Sequence, residues 1–460
     1  MEKIIGFILA GLLLAGCATQ QKGTTAANEL KLGKHHLKVT TKSADAQRAF
    51  DRGLTLMFSF AHFAAEQEFR KAAEIDPQMA MAWWGVAAVN GPHINFPMVP
   101  PDRAQKAWEA LTKAQQLAPN ATDLERDLIA ALSKRYANPQ PEDRSPLDRA
   151  YADAMRELWH KYQTDDDVGA MFAESMMDLR PWDLWQADGT PQPGTPEIVE
   201  ALERVLWLNP KHPGANHYYI HTVEASPYPE KALPCARRLG KLVPEAGHMV
   251  HMPAHIYARV GDWNNAAQCN TDAMKTDAKY RTIYPRPGFY ALYMAHNGHF
   301  FAWAAMMQGR SAESIDHARK MVASIPDEFV RDFGGAVDGF LVFVPEALMR
   351  FGKWEEILAE PKPKGDLPLS QALWRYTRVA SLAALGRLDD ARAEQKLFEE
   401  AAAKVPGDWH FGNNKATNLI AIARHVLNGE IAAKEGKYDE AIRHLNEGVK
   451  IEDTLRYDEP

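Results

Sequence analysis

The residues best suited to chemistry in this chain are histidines, and eight of the 17 fall between His212 and His299. Most of these are three or four residues apart, so on helices they would share a face. Seven of them, all except His212, form with one glutamate the set of candidate metal ligands: His217, His221, Glu224, His248, His251, His255, His296 and His299. Converging imidazoles bind transition metals such as zinc, copper or iron, and the sequence does not choose among these ions.

Two functions are open to such a metal site. In a binding protein, the ion would shape a surface for a ligand. In a metalloenzyme, either a hydrolase or an oxidoreductase, three or four histidines would hold the ion and a free coordination position would take water or oxygen. Glu224 would then be the candidate catalytic residue, as ligand or base. The sequence lacks a nucleophile elbow, a phosphate-binding glycine loop, His-Glu-x-x-His and Cys-x-x-Cys, which excludes the commonest hydrolase, nucleotide and dithiol sites.

Two further interpretations of the histidines need no metal. Clustered histidines gain charge near pH 6, so a polar groove lined by them could bind an acidic peptide or ligand. The rings could also be structural, each paired with a neighbouring tyrosine or asparagine such as Tyr218 or Asn297. All three interpretations require the histidines to share one location in the fold.

The elements that must position these residues follow a sequence repeat. Small or apolar residues recur at spacings of four and three and end at a proline five residues later, as in Ala232, Ala236, Leu239 and Pro244. The prolines Pro210 and Pro244 set a period of 34 residues. This pattern resembles the tetratricopeptide repeat (TPR), in which antiparallel helix pairs stack into a superhelix. We therefore predict an all-α, TPR-like α-α superhelix of about ten helix pairs over residues 45–460.

The repeat phase places the histidines on the first helices of three consecutive pairs. By resemblance to the TPR family, these positions face the concave groove, so a histidine-rich wall is expected from residues 213–308. Neighbouring helices lie roughly 8–10 Å apart, which allows their imidazoles to meet. Pro253 should kink or restart its helix. The residues expected to line the groove with the histidines are Trp182, Trp185, Asn216, Tyr257 and Trp303, and we predict a lid at 180–196.

The first residues predict export and anchoring. A short apolar run, Ile4–Leu14, follows Lys3 and fits a secretory signal better than a membrane span. The following Leu-Ala-Gly-Cys resembles the lipobox of bacterial lipoproteins, which implies cleavage before Cys17, lipidation of its thiol and attachment to a membrane. By the same resemblance, Ala18 favours the periplasmic side of the outer membrane. We divide this part into a signal peptide (1–16) and a lipidated cysteine with a flexible tether (17–44).

Composition and a second resemblance complete the interpretation. The 460 residues are 46% hydrophobic and 25% charged with a net charge of −7, typical of a soluble globular protein and unfavourable for nucleic-acid binding. The blocks HYYIHTVEASPYP and GHMVHMPAHIY resemble a group of bacterial TPR proteins, which implies an architecture and no particular reaction.

We interpret the chain as a lipid-anchored scaffold that binds a protein or peptide in a metal-bearing groove, with a metalloenzyme as the alternative. Because the sequence stops after a second helix, further chain or a partner is expected on the last apolar face.

Overall fold

The computed structural model describes residues 29–459, so the predicted signal peptide and Cys17 lie outside the described residues. The helices form ten consecutive antiparallel pairs, which confirms the predicted repeat fold. The first five pairs are α1 (Ala44–Phe58) and α2 (His62–Ile75), α3 (Ala80–Val89) and α4 (Pro101–Leu117), α5 (Asp123–Leu132) and α6 (Ser145–Lys161), α7 (Asp166–Met177) and α8 (Thr195–Leu208), and α9 (Pro213–Val223) and α10 (Leu233–Leu242).

In two of the remaining pairs the first helix is broken. The sixth pair joins α11 (Gly247–His251) and α12 (Pro253–Arg259) to α13 (Trp263–Ile283), and the seventh is α14 (Ala291–Met307) and α15 (Ser311–Ser324). The eighth joins α16 (Asp327–Asp332), α17 (Gly334–Val337) and α18 (Phe343–Arg350) to α19 (Trp354–Ala359). The last two are α20 (Pro368–Ala384) and α21 (Leu388–Ala402), and α22 (Ala416–Lys434) and α23 (Tyr438–Glu452). A two-stranded hairpin, β1 (His410–Phe411) and β2 (Asn414–Lys415), precedes α22.

Small residues at the repeat positions let the two helices of a pair approach closely. In the first pair, Ala65, Phe69 and Ala72 are fully buried where α2 packs on α1. Later pairs turn at glycines with φ between 66° and 79°, a conformation that side chains with a Cβ rarely adopt. These are the glycines that the sequence places before second helices: Gly261, Gly309, Gly352, Gly386 and Gly436.

The superhelix brings the first pair against the fifth, since α1 contacts α9. Residues 29–43 strengthen this contact. We predicted them as part of a flexible tether (17–44), but they pack on the folded domain. Leu30 and Leu32 are buried, and Lys31 and Glu245 are joined by two hydrogen bonds of 2.5 and 3.2 Å. These apolar side chains belong to the main hydrophobic core instead of remaining in solvent. Within residues 29–459, no helix combines the length and the apolar character needed to cross a bilayer.

The outer face of α23 carries an apolar stripe on the side where a further helix would stack. Its residues are spaced four, three and four apart and are between 38% and 68% exposed: Tyr438, Ile442, Leu445 and Val449. The expected uncovered apolar face is therefore present in the fold.

Candidate metal centre

Six of the seven predicted histidines meet inside the superhelix as two groups of three. The first triad is His217, His221 and His248, and the second triad is His251, His255 and His296. Within each triad, one ring nitrogen of every histidine lies within 4.8 Å of the others. The 34-residue phase therefore brings together side chains that are up to 79 positions apart in the sequence.

Four helix segments supply these rings, and the predicted break at Pro253 is present. Helix α9 carries His217 and His221, and α14 carries His296. Pro253 lacks the N–H needed to continue α11, so α12 restarts there. The rings on the two sides of the break stay close to each other: His251 Nε2 and His255 Nε2 are 2.7 Å apart.

Hydrogen bonds fix which nitrogen faces the centre in four of the six rings. His217 Nδ1 donates to the backbone oxygen of Phe58 at 2.7 Å, and a carbonyl can only accept. His251 Nδ1 donates to Asn270 Oδ1 at 2.7 Å, while the amide group of Asn270 donates to Ala266 O at 2.9 Å. With Nδ1 protonated, the neutral ring presents a lone pair on Nε2, the form that binds metal ions.

Glu224 holds the hydrogen on Nδ1 in one histidine of each triad. Its Oε1 accepts from His221 Nδ1 at 3.1 Å, and its Oε2 accepts from His255 Nδ1 at 2.8 Å. The hydroxyl of Tyr457 also donates to Oε2, at 3.0 Å. The carboxylate is fully buried on the outer nitrogens of both rings. The structure thus places Glu224 as a brace that orients two imidazoles, the usual second contact of metal-binding histidines.

The consequence is that Nε2 lone pairs converge on the centre. In the neutral state, His251 and His255 face each other through bare Nε2 atoms, which repel at 2.7 Å unless a cation lies between them, either a proton or a metal ion. His217 Nε2 and His248 Nε2 lie 3.0 Å apart. No hydrogen-bond partner in the described part of the chain fixes His248 Nδ1, so the neutral His248 ring can donate its Nε2–H to His217. Among residues 29–459, no hydrogen-bond partner reaches His221 Nε2 or His296 Nε2.

Burial decides where a proton can be held. It lowers the pKa of His217, His248, His251 and His296 well below the ordinary value of 6.5, and neighbouring imidazoles lower these pKa values further. Burial also lowers the pKa of His221, although Glu224 opposes the shift. For His255, burial acts in the same direction, but Glu224 and Glu459 outweigh it and raise the pKa. The first triad therefore consists of three neutral imidazoles near pH 7.

Two strained residues pack against the first triad. Phe60 and Trp182 have φ of 53° and 61°, and they are the two residues other than glycine with positive φ in the described part of the chain. The ring of Phe60 lies 4.7 Å from His217 and stacks on His93 at 4.6 Å. The Trp182 ring lies 5.1 Å from His221. Bulky residues adopt positive φ at a cost of order 1–3 kcal/mol, and such strain clusters at functional sites.

The predicted groove is therefore filled, which corrects our expectation of an open wall. His217, His251 and His255 are at most 1% exposed. Phe60 and His93 fill the space on one side, and Trp182 in the predicted lid at 180–196 fills it on another, held through Nε1 by Asn95 Oδ1 at 3.1 Å. A cavity of about 190 Å³ remains beside the second triad, lined by Trp182, Tyr293, His296, Phe340 and Glu459 among others.

The other predicted residues do not reach the triads. Asn216 precedes His217 by one position, so it points elsewhere on α9 and donates to two backbone carbonyls at 2.8 and 3.0 Å. Trp185 donates to a backbone carbonyl of α9 at 2.7 Å. Trp303 packs on another aromatic ring of its own helix, α14, 5.6 Å away. Tyr257 is half-buried among apolar side chains. His299 turns toward an aromatic ring of α18 at 4.2 Å.

Another buried group of ligand type, His35, Asp167 and His212, is already satisfied by hydrogen bonds. His212 Nδ1 accepts from a backbone N–H at 3.0 Å, so its Nε2 carries the hydrogen and donates to Asp167 at 3.2 Å. His35 Nε2 lies 2.8 Å from the same carboxylate oxygen. This arrangement fastens residues 29–43 to the body and leaves His212 without a lone pair for a metal.

Sequence reasoning missed five residues around the centre: Phe60, His93, Asn270, Tyr457 and Glu459. Phe60 and Asn270 have no local pattern that marks them. His93 stands alone in the loop between α3 and α4, and the last two follow α23 in a stretch that we interpreted only as the end of a repeat. No repeat phase could have found them.

Comparison with known proteins finds only distant structural similarity. No family model matches this chain, and no curated protein matches it. Similar solved structures include the Cut9–Hcn1 hetero-tetramer of the APC/C (12% identity, 88% of this chain and 66% of that chain, TM-score 0.35). Yeast Tom70 gives 12% identity, 89% and 86% coverage and a TM-score of 0.38. A human IFIT1 dimer with m7Gppp-AAAA gives 12%, 90% and 91%, with a TM-score of 0.38. This chain thus spans just under two thirds of the Cut9–Hcn1 chain.

Proposed function

We propose that this protein binds two transition-metal ions, one on each histidine triad, inside its helical-repeat domain. The observation that carries the proposal is the convergence of buried Nε2 lone pairs whose Nδ1 atoms are fixed by a carbonyl, an amide and Glu224. Two nitrogens bound to one tetrahedral ion at about 2.0–2.1 Å lie roughly 3.3 Å apart. The observed Nε2 pairs, at 2.7 and 3.0 Å, are shorter than that spacing by roughly half an ångström or less, so a small separation of the rings would admit an ion.

The two triads differ in how they could be satisfied without a metal ion. A proton could bridge His251 and His255, because the neighbouring carboxylates raise the pKa of His255. In the first triad, burial lowers the pKa of both His217 and His248, so both rings are neutral near pH 7 and His248 could donate to His217, which leaves His221 Nε2 unpartnered among the described residues. A divalent cation would use the lone pairs of all three rings in each triad. All-imidazole sites suit zinc, copper and iron.

Metal analysis of purified protein loaded separately with Zn²⁺, Cu²⁺ or Fe²⁺ tests this proposal. We expect two ions per chain in the wild type for at least one metal and one ion in His217→Ala or His255→Ala. The double variant should bind none. Helical content should stay unchanged, because each replacement removes a ligand and leaves the repeat packing intact. His160→Ala, at an exposed position of α6, is the matched control and should retain both ions.

Two outcomes would contradict the proposal. A wild-type protein that binds no metal under any loading condition would leave the histidines as structural residues. Alanine variants that unfold would lead to the same conclusion.

A metalloenzyme is the second candidate, and the cavity of about 190 Å³ beside His296 favours it. Its aromatic and apolar lining would admit a small molecule to the second triad. An enzyme that used this cavity would need an exchangeable ligand on the second ion, so added azide should change the visible spectrum of the cobalt- or copper-loaded His217→Ala protein, which keeps only that ion. A second ion without an exchangeable position would give no such change.

We also propose that the protein is a lipid-anchored envelope scaffold, as the lipobox and the repeat architecture suggest. Stacked helical repeats present extended surfaces to protein partners. Since the histidine centre is filled by the protein's own side chains, a partner would occupy another surface.

The membrane anchor has its own test. Cys17→Ser should move the protein from the membrane fraction to the soluble fraction of the cell envelope, because the acyl chains would no longer be attached. Ser43→Ala, at the N-cap of α1, keeps the thiol and serves as the control. Retention of the Cys17→Ser protein in the membrane would contradict the lipid anchor.

A further inference from the structure

A short segment after the last helix, residues 454–459, returns to the histidine centre; we name it the strap. The β1–β2 hairpin holds it by backbone and side-chain hydrogen bonds. Asn413 donates through its backbone N–H to Asp458 at 2.7 Å and through its amide to Tyr457 O at 2.9 Å. Asn414 and Arg456 exchange two hydrogen bonds of 2.9 Å. The strap is therefore positioned by a dedicated set of contacts.

These contacts bring two side chains to the triads. Tyr457 donates to Glu224 Oε2 at 3.0 Å, and its ring lies under the Arg259 guanidinium at 5.2 Å. Glu459 reaches further: its Oε1 lies 3.7 Å from His296 Nε2, and its Oε2 lies 3.4 Å from His255 Nδ1. One carboxylate oxygen thus faces His296 Nε2, which is unpartnered among the described residues, while the other lies beside the outer nitrogen of His255, which Glu224 also contacts.

The distance from Glu459 to His296 is too long for a hydrogen bond, yet it suits two ligands of one ion. Ligand atoms on a tetrahedral ion lie roughly 3.3 Å apart. The Glu459 side chain is only 26% exposed, and a carboxylate taken from water needs a cation nearby. An ion on the second triad would supply that charge at the point where Glu459 already lies.

We infer that Glu459 is the fourth ligand of the second ion, which makes that site His₃Glu while the first triad stays His₃. This inference rests on the proposed binding of two ions. A site with four protein ligands is closed, as in structural metal sites, whereas a three-ligand site keeps a position for water or a small ligand. The two ions therefore differ in role: the strap seals the second ion from the cavity beside it, and the first keeps an exchangeable position.

The test compares Glu459→Gln with the wild-type full chain, using Zn²⁺ in competition with a chelator and Co²⁺ for its visible spectrum. We expect the first ion to bind as in wild type and the second to bind at least tenfold more weakly, with a changed cobalt spectrum. Glu452→Gln, at an exposed position at the end of α23, is the matched control and should behave as wild type. Circular dichroism checks that each variant keeps its helices.

A second variant tests delivery by the strap. Asn413→Ala/Asn414→Ala removes side-chain contacts to the strap and leaves Glu459 in place, so the second ion should again bind more weakly. Wild-type affinity for both ions in Glu459→Gln would overturn the inference while leaving two-ion binding intact. Wild-type affinity in the double asparagine variant would overturn delivery by the strap. Absence of metal in the wild type would instead overturn the proposed function itself.

Discussion

Glu224→Gln should weaken the binding of one of the two ions by about 10- to 100-fold, the range found when the group that orients a metal-binding histidine is lost. The carboxylate accepts one hydrogen from His221 and one from His255. Glutamine has a single acceptor oxygen, and its amide group would face the other ring. That ring must then move its hydrogen to Nε2, which removes the lone pair that binds the ion.

Zinc titration against a chelator measures this effect as a split into one tight and one weak site. Glu230→Gln, an exposed position between α9 and α10, makes the same chemical change away from the centre and should titrate as wild type. Two unchanged affinities in Glu224→Gln would show that the carboxylate does not set the orientation of the rings.

The metal-free protein should lose stability steeply as the pH falls below about 6.5. Burial holds the pKa of His217, His248, His251 and His296 well below 6.5 in the folded state, and in the unfolded chain these residues titrate near 6.5. Below that pH, the unfolded chain binds protons that the folded protein does not. Each of the four residues then lowers the free energy of unfolding by up to about 1.4 kcal/mol per pH unit.

His255 changes the free energy of unfolding in the opposite direction and over a different pH range. Its folded pKa is raised, so its contribution to stability is complete below 6.5 and is lost as the pH rises through the folded value. It therefore does not offset the loss on the acid side.

Urea unfolding in the presence of a chelator at pH 7.5, 6.5 and 5.5 measures the free energy directly. His248→Phe removes one titrating ring. It should therefore reduce the part of the slope of unfolding free energy against pH that the four histidines cause by about one quarter. A free energy of unfolding that stays constant from pH 7.5 to 5.5 would contradict the neutral state of these rings.

The sequence predicted the repeat and the meeting of the histidines because both depend on local periods. A helical turn and a 34-residue repeat suffice to place His217 on α9 and His251 on α11 on the same side of the superhelix. His299 shows the limit of that argument. It follows His296 by three positions, less than a full turn, and this difference turns its ring toward α18.

What the sequence could not predict depends on contacts between distant parts of the chain. Glu224 falls on the histidine face by spacing, but its role as a brace depends on His255, 31 residues later. Tyr457 meets Glu224 across 233 residues. No periodic pattern encodes such a contact, so the filling of the groove and the position of the strap appear only in three dimensions.

The contact between the first and fifth helix pairs changes how the protein should unfold. In most repeat proteins each unit interacts only with its neighbours, so end units can fray independently. Here, His217 is bonded to Phe58 across 159 residues, and residues 29–43 are bonded to the turn after α10. Loss of the first pair would expose the buried imidazoles, so the first five pairs form one cooperative block. Slow amide hydrogen exchange is therefore expected to extend from α1 to α10.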